Sequence, residues 1–213
     1  MTSNYKEIIE ERHFVVKKVY DPILRFLHWW NALSIFSLML TIWLKEFIRE
    51  FENGKEILYR YHILIGYALT AGITLRIIWG FIGPKHAKFK NMIHLKAFVK
   101  LIKTKKYDKH DNWGHDKYAG SLYIVVYLLM VYQIFSGLYL AAKIYGMGPL
   151  ISYVPLLKEK TPLSSFLKDI HEIIFYISMV FVLLHIFMII FHEIKRKYPM
   201  AQSMFSGNQY RKK

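Results

Sequence analysis

Four long apolar stretches constrain this chain more than any other feature of its sequence. Each is long enough to cross a lipid bilayer as a helix, and an isolated helix satisfies its own backbone hydrogen bonds there. They cover about residues 24–47, 57–82, 118–144 and 170–193. We therefore predict an all-α integral membrane four-helix bundle within residues 21–193. A segment of residues 1–20 precedes this domain, and a basic tail of residues 194–213 follows it.

The charge distribution predicts the orientation of the spans. The chain carries 30 Lys and Arg residues and a net charge of +15, a balance that in a soluble protein would suggest nucleic acid binding. Here the apolar blocks favour a membrane protein instead, so we expect no nucleic-acid partner. The amino-terminal segment with Arg25, the loop through Lys117 and the tail contain 21 of the basic residues, whereas residues 45–60 and 143–168 on the other side contain eight. Both termini and the long loop are therefore expected in the cytoplasm.

Two further observations limit the chemistry and the surface partners. The chain has no cysteine, which excludes disulfides, iron–sulfur ligation and covalent c-type haem attachment. Residues 1–20 are polar and mixed in charge, which predicts an amphipathic or irregular surface segment and no cleaved signal peptide. Residues 96–106, KAFVKLIKTKK, have helical periodicity and a basic face, which predicts an interfacial helix on anionic lipid.

The histidines of the spans fall into two levels. His171 and His185 are fourteen residues apart in the fourth span, which separates them by about 21 Å and places them within roughly 40° on one helix face. His62 lies early in the second span, and His28 lies about two turns into the first. In a four-span bundle, His62 is expected at the depth of His171 and His28 at the depth of His185.

Two level pairs of imidazoles are typical of haem ligation. Opposed neutral imidazoles are the axial ligands of low-spin b-type haem, whose iron then has no open position and only transfers electrons. A zinc site would need its ligands close to one point. The alternatives are that each histidine simply bonds a neighbouring helix, or that a haem-free transporter uses the histidines as a proton relay.

Three other residues are candidates for the haem environment. Arg76 lies fourteen residues after His62, at the expected depth of His28, and could hold a haem propionate or extend to lipid headgroups. Arg25, one turn from His28, could hold the second propionate. Gly66, one turn after His62, would let a flat macrocycle approach the backbone, although close helix packing would favour glycine equally.

The sequence resembles the family of bacterial cytochrome b561 and Ni-Fe hydrogenase b-type cytochrome subunits. The resemblance runs from about Val19 to Lys213 and rests on VYDPILRFLHWWNAL, YHILIGYALTAGITLRIIWGFIGP, GHDKYAGSLYIVVYLLMVYQIFSGLYLA, HEIIFYISMVFVLLHI and SMFSGNQYRKK. It implies two non-covalent b haems ligated by His28, His62, His171 and His185. It also implies residence in the bacterial inner membrane and electron exchange with quinone. The first outer loop is short and acidic, unlike the hydrogenase-subunit pattern, and favours the general cytochrome b branch.

We expect a di-haem cytochrome b that transfers electrons across the inner membrane between the quinone pool and a periplasmic redox partner. By the resemblance, that partner is a cytochrome c, a dehydrogenase or a hydrogenase. The alternative in the same class is a quinone-reactive anchor subunit of a periplasmic hydrogenase or dehydrogenase. The sequence leaves open whether the chain is an electron-transfer protein alone or a subunit of an oxidoreductase, and whether it forms a homodimer.

Overall fold

Four long helices occupy the four predicted spans. The computed structural model describes residues 8–11, 14–51, 53–94, 99–100, 103–104, 113–114, 117–156, 161–196 and 199–212. The long helices are α1 (Pro22–Phe47), α2 (Gly54–Ile82), α3 (Lys117–Tyr145) and α4 (Pro162–Arg196). Each is long and apolar enough to cross a membrane, which confirms the predicted all-α membrane bundle. Near the carboxyl terminus lies a short helix, α5 (Met200–Ser206).

The helix surfaces match a lipid environment. Large apolar side chains are exposed on all four long helices, among them Leu33, Leu64, Leu128 and Phe187. Small or polar residues are buried instead, including Asn31, Ser34, Ser136 and Ser178. Small buried residues are typical of helix–helix contacts in membranes, where the lipid is as apolar as leucine.

Local signals explain where two helices begin. The Asp21 carboxylate accepts a hydrogen bond from the backbone nitrogen of Leu24 at 2.9 Å, which caps α1, and Pro22 occupies the first helical position. The indole nitrogen of Trp79 donates to the same Asp21 oxygen at 3.1 Å. This carboxylate therefore both starts α1 and ties it to the end of α2.

Helix α4 begins at Pro162, eight residues before the predicted start of the fourth span. Thr161 and Ser164 cap it reciprocally: the Thr161 backbone nitrogen donates to Ser164 Oγ at 3.0 Å, and the Ser164 nitrogen donates to Thr161 Oγ1 at 3.3 Å. The polar residues of this first turn hid it from a search for apolar length, although Thr-Pro is a helix-start signal. Because α4 begins at Pro162, His171 is its tenth residue. His62 is the ninth residue of α2, so the two histidines lie at nearly the same distance from the starts of their helices.

The chain termini form a small sheet that the sequence analysis did not predict. Strand β1 (Ile8–Glu11) pairs antiparallel with β2 (Phe14–Lys18), which pairs antiparallel with β3 (Asn208–Lys212). The central register places Val16 opposite both Ile9 and Tyr210. Strands of four or five residues are too short to identify without their partners, and β3 is almost 200 residues away from β2 in the sequence. Part of the segment predicted as amphipathic or irregular is therefore extended.

The chain divides into two compact units, each containing part of every long helix. The sheet unit comprises Met1–His28, Arg76–Val126 and Val182–Lys213, and the loop unit comprises Trp29–Leu75 and Tyr127–Phe181. The sheet unit has a core of Val19, Tyr20, Leu24 and Ala87, against which Trp79, Trp113 and Met204 pack. Burial and the nearby phenol of Tyr123 raise the pKa of Tyr20 to about 12, so Tyr20 stays protonated and donates to the Gly114 carbonyl at 3.4 Å.

Much of the long basic loop lies outside the described residues. Residues 99–100 and 103–104 are helical. The other residues of the predicted interfacial helix, 96–98, 101–102 and 105–106, are not described, so that prediction stays open.

Candidate cofactor site

In the loop unit, two histidines are held by hydroxyl groups. His62 Nδ1 lies 2.7 Å from Thr41 Oγ1, which joins α2 to α1. His171 Nδ1 lies 2.8 Å from Ser136 Oγ, which joins α4 to α3. The two imidazoles are also close enough to interact electrostatically. All four long helices therefore contribute to the position of this one pair.

The hydroxyl contacts determine which ring nitrogen carries the proton. Thr41 Oγ1 donates its single proton to the Leu38 carbonyl at 2.6 Å, and Ser136 Oγ donates to the Tyr132 carbonyl at 2.9 Å. With the hydroxyl hydrogens directed to these carbonyls, each hydroxyl accepts from the imidazole, and we assign the hydrogen of each histidine to Nδ1. The lone pair of each ring is left on Nε2. A histidine whose Nδ1–H is bonded in this way is oriented to ligate a metal through Nε2.

Two glycines leave room beside these imidazoles. A Cβ atom added to Gly137 on α3 would lie 3.3 Å from His171 Cε1, so the absence of a side chain lets that ring approach the helix. A Cβ atom added to Gly66, one turn from His62, would meet nothing within 4 Å. Close helix packing therefore does not explain Gly66. Open space therefore adjoins α2 at Gly66, one turn from His62, and leaves room there for a bound group.

In the sheet unit, His28 of α1 and His185 of α4 face each other. Their ring centroids are 6.4 Å apart with an interplanar angle of 59°, and Tyr123 of α3 meets His185 edge-on at 6.2 Å. Two metal–imidazole bonds of about 2.0 Å, each extended by about 1.2 Å from the nitrogen to the ring centre, would give a separation of about 6.4 Å. The spacing of this pair therefore fits two axial ligands of one metal ion.

Arg76 is buried in the sheet unit, and its guanidinium contacts residues 87–92, the segment that follows α2. The residue is 2% exposed, so it does not extend to lipid headgroups. Its Nη2 donates to the Ala87 carbonyl at 3.2 Å and lies 3.8 Å from Met92 Sδ, and its guanidinium carbon is 4.7 Å from the centre of the Phe89 ring. These contacts hold residues 87–92 against α2 and keep a cation in the unit that contains His28 and His185.

Arg25 also contacts a segment distant in sequence. Its Nη1 donates to the Phe205 carbonyl of α5, and Gly207 lies directly beside its guanidinium. The structure thus brings all seven predicted site residues into two groups. His28, His185, Arg25 and Arg76 belong to the sheet unit, and His62, His171 and Gly66 belong to the loop unit.

The sequence analysis assigned no role at the histidines to the groups that orient them in the loop unit. Thr41 and Ser136 bond their imidazoles, and Gln133 Nε2 donates to the His171 carbonyl at 3.1 Å. The available signal was weak, because a hydroxyl or amide inside a span more often bonds its own helix. Lys143 was also missed, because its place near the end of a span led us to count it with the outer loop.

Comparisons with known proteins found one matching family and several similar proteins. A sequence model of the family described as prokaryotic cytochrome b561 matches residues 19–207. Three relatives, from Rhodobacter capsulatus, Rhizobium leguminosarum bv. viciae and Bradyrhizobium diazoefficiens, are each named as a probable Ni/Fe-hydrogenase B-type cytochrome subunit. They are 23%, 24% and 26% identical over 90% of this chain, and the matches cover 80%, 87% and 85% of their lengths. No solved structure matches the chain.

Proposed function

The chain belongs to the prokaryotic cytochrome b561 family, and we propose that it holds two b haems and transfers electrons between quinone and a periplasmic redox partner. The family match and the names of the relatives together identify the chain as a multi-pass membrane b-type cytochrome that functions in electron transfer. This confirms the predicted class of protein. The two haems, the quinone and the side of the partner are the proposal.

The observation that carries the proposal is the occurrence of one histidine pair in each unit. His62 and His171 present Nε2 atoms, and open space adjoins Gly66 on the His62 face. His28 and His185 have the centroid spacing of two ligands to one metal. We assign one haem to each pair, and call them the loop-unit haem and the sheet-unit haem.

The residues present suit one-electron transfer. Haem b bound between two imidazoles supplies a reversible one-electron iron couple without an open coordination position. Thr41 and Ser136 fix the imidazoles so that ligand orientation need not change with redox state, and Arg76 supplies a permanent positive charge in the sheet unit. The sequence contains no cysteine, which excludes c-type thioether attachment of a haem.

We further propose that the sheet unit lies at the cytoplasmic side of the bacterial inner membrane. Pairing of β2 with β3 requires both chain ends to be on one side, in agreement with four spans. The excess of basic residues near the ends and in the loop of residues 84–116 favours the cytoplasm for that side. A reporter fused after Lys213 should be active in the cytoplasm, and activity restricted to the periplasm would reverse the assignment.

The second candidate is the quinone-reactive anchor of a periplasmic enzyme. The names of the three relatives favour it, because each is a probable hydrogenase cytochrome subunit. Affinity purification from the native membrane in mild detergent distinguishes the two functions. Stoichiometric recovery of a large redox enzyme with the chain favours the anchor, whereas recovery of the chain alone, as a monomer or homodimer, favours an independent cytochrome.

Haem quantitation and a reduced-minus-oxidised spectrum test the central proposal. The purified, fully loaded protein should contain two haems per chain and show b-type bands. A content of one haem would remove one of the two assigned sites. Complete absence of haem would instead favour the transporter with a histidine proton relay.

A further inference from the structure

Lys143 is a cation enclosed within the loop unit. It lies in the last turn of α3, and only 2% of the residue is exposed. Its Nζ donates to Thr161 Oγ1 at 2.5 Å, immediately before the start of α4. Other outer-side basic residues such as Arg60 and Lys168 are more than half exposed. Lys143 therefore does not behave as an ordinary surface lysine at a membrane boundary.

This ammonium lacks a counter-charge among the residues that the structure describes. The ion pairs found there join Arg60 to Glu56 and Lys168 to Glu172, and neither involves Lys143. An ammonium has three donors, of which Thr161 accepts one. A buried charge is costly without a partner, and in a membrane protein such a residue usually marks a functional site. The loop unit thus contains a buried cation that no described acidic side chain neutralises.

The position of Lys143 relates it to the histidine pair of the same unit. It lies seven residues after Ser136 on α3, which is about 10.5 Å along the axis and within about 20° on the same face. Ser136 is the residue that bonds His171. The ammonium therefore lies on the helix face that holds the ligand, about two turns closer to the end of the span.

We propose that Lys143 binds a propionate carboxylate of the loop-unit haem and so orients that haem. The inference rests on the proposed function, because it requires a haem between His62 and His171. Propionates extend from one edge of the macrocycle, which allows a group about two turns from the ligand level to reach them. A lipid phosphate carries the same kind of charge, and the propionate bending mode in the resonance Raman spectrum distinguishes the two anions.

Redox titration of Lys143 variants tests the proposal. A cation beside a haem stabilises its reduced, less positive state, so Lys143→Met should lower the midpoint potential of the loop-unit haem. The component lost in His62→Ala identifies that haem. The propionate bending mode in the resonance Raman spectrum should shift in Lys143→Met and return toward its native position in Lys143→Arg. Lys168→Met is the matched control, because it removes an exposed lysine three residues from His171 and should change neither readout.

The outcomes separate the inference from the function on which it rests. If the loop-unit haem is present and Lys143→Met leaves its potential and Raman mode unchanged, Lys143 does not bind a propionate and the di-haem proposal stands. If the wild-type protein has no haem that depends on His62 and His171, both proposals fail. Should Lys143→Met lose the haem altogether, Lys143→Arg decides: retention with a near-native Raman mode supports the proposal, and loss there overturns it.

Discussion

The sheet unit and the loop unit contain the same kinds of residues, but different contacts hold those residues in place. Each has one pair of histidines, with one member on α4, and one basic residue that is 2% exposed. In the loop unit, hydroxyls of the membrane helices orient the imidazoles, and Lys143 bonds Thr161 next to α4. In the sheet unit, Arg76 holds the segment after α2, and Arg25 binds the carboxyl-terminal helix.

From this difference we expect the two proposed haem sites to depend on different regions of the chain. The loop-unit site is built from helix residues, with Thr161 just before α4, and its geometry is set by hydrogen bonds between the helices. The sheet-unit site depends on segments from both ends of the chain, whose contacts are distant in sequence. Substitutions should therefore affect one site and spare the other, and the following predictions test that separation.

The largest expected effect is loss of one haem on removal of one ligand. His62→Ala and His171→Ala should each abolish the loop-unit component of the spectrum and about halve the haem content, because a single imidazole cannot replace bis-histidine ligation. His28→Ala and His185→Ala should abolish the other component. Pyridine haemochrome assays and difference spectra measure both. Loss of the same component in His62→Ala and His185→Ala would show that the pairing is wrong.

Arg76→Gln should lower the potential of the sheet-unit haem. One charge about 8 Å away at an effective dielectric constant near 20 contributes about 2 kcal/mol, or roughly 90 mV for one electron. The potential of that haem in Arg76→Lys should lie between those of the wild type and Arg76→Gln, because lysine keeps the charge and loses the planar guanidinium that reaches the Ala87 carbonyl. Spectroelectrochemical titration of both haems measures the shift. Unchanged potentials in Arg76→Gln would show that Arg76 only holds residues 87–92 in place and does not tune the haem.

Gly207→Ala should weaken the sheet unit alone. Gly207 has a φ of +84°, and a Cβ atom there would lie 2.6 Å from the Tyr20 carbonyl oxygen, at the junction of α5 and β3. Left-handed backbone for a non-glycine residue costs about 1–3 kcal/mol. Thermal loss of the sheet-unit haem component should begin at lower temperature, while the loop-unit component keeps its midpoint. Gly146→Ala (φ +59°), whose Cβ would make only an ordinary contact with Leu156, is the matched change in the loop unit.

The sequence analysis could group the four histidines by depth because their spacing depends on helix periodicity, which is a local property; their role as haem ligands stays a prediction. The fourteen-residue spacing of His171 and His185 fixes their separation and face without knowledge of any neighbour. The hydroxyl partners depend instead on how α1 and α3 are rotated toward those rings, which periodicity does not determine. The β2–β3 pairing and the Arg76–Ala87 contact were missed for the same reason, since both join segments through tertiary structure.

The smallest expected effect comes from the hydroxyls that distinguish the loop unit. Thr41→Val and Ser136→Ala each remove the acceptor of a histidine Nδ1–H bond, which lowers electron donation from the imidazole and should raise the loop-unit potential. One such bond contributes about 0.5–1.5 kcal/mol, or roughly 20–60 mV.

Hydroxyls of the same unit that bond backbone carbonyls provide the controls for this effect. Thr70 donates to the Gly66 carbonyl and Ser178 to the Ile174 carbonyl, so Thr70→Val and Ser178→Ala remove a hydroxyl without removing a histidine partner. Both should leave the loop-unit potential within a few millivolts of the wild type, because ligand basicity is unchanged. Equal shifts in the control and test variants would mean that the potential responds to general repacking of the helices. A shift confined to Thr41→Val and Ser136→Ala would show that the two units differ in how their ligands are tuned.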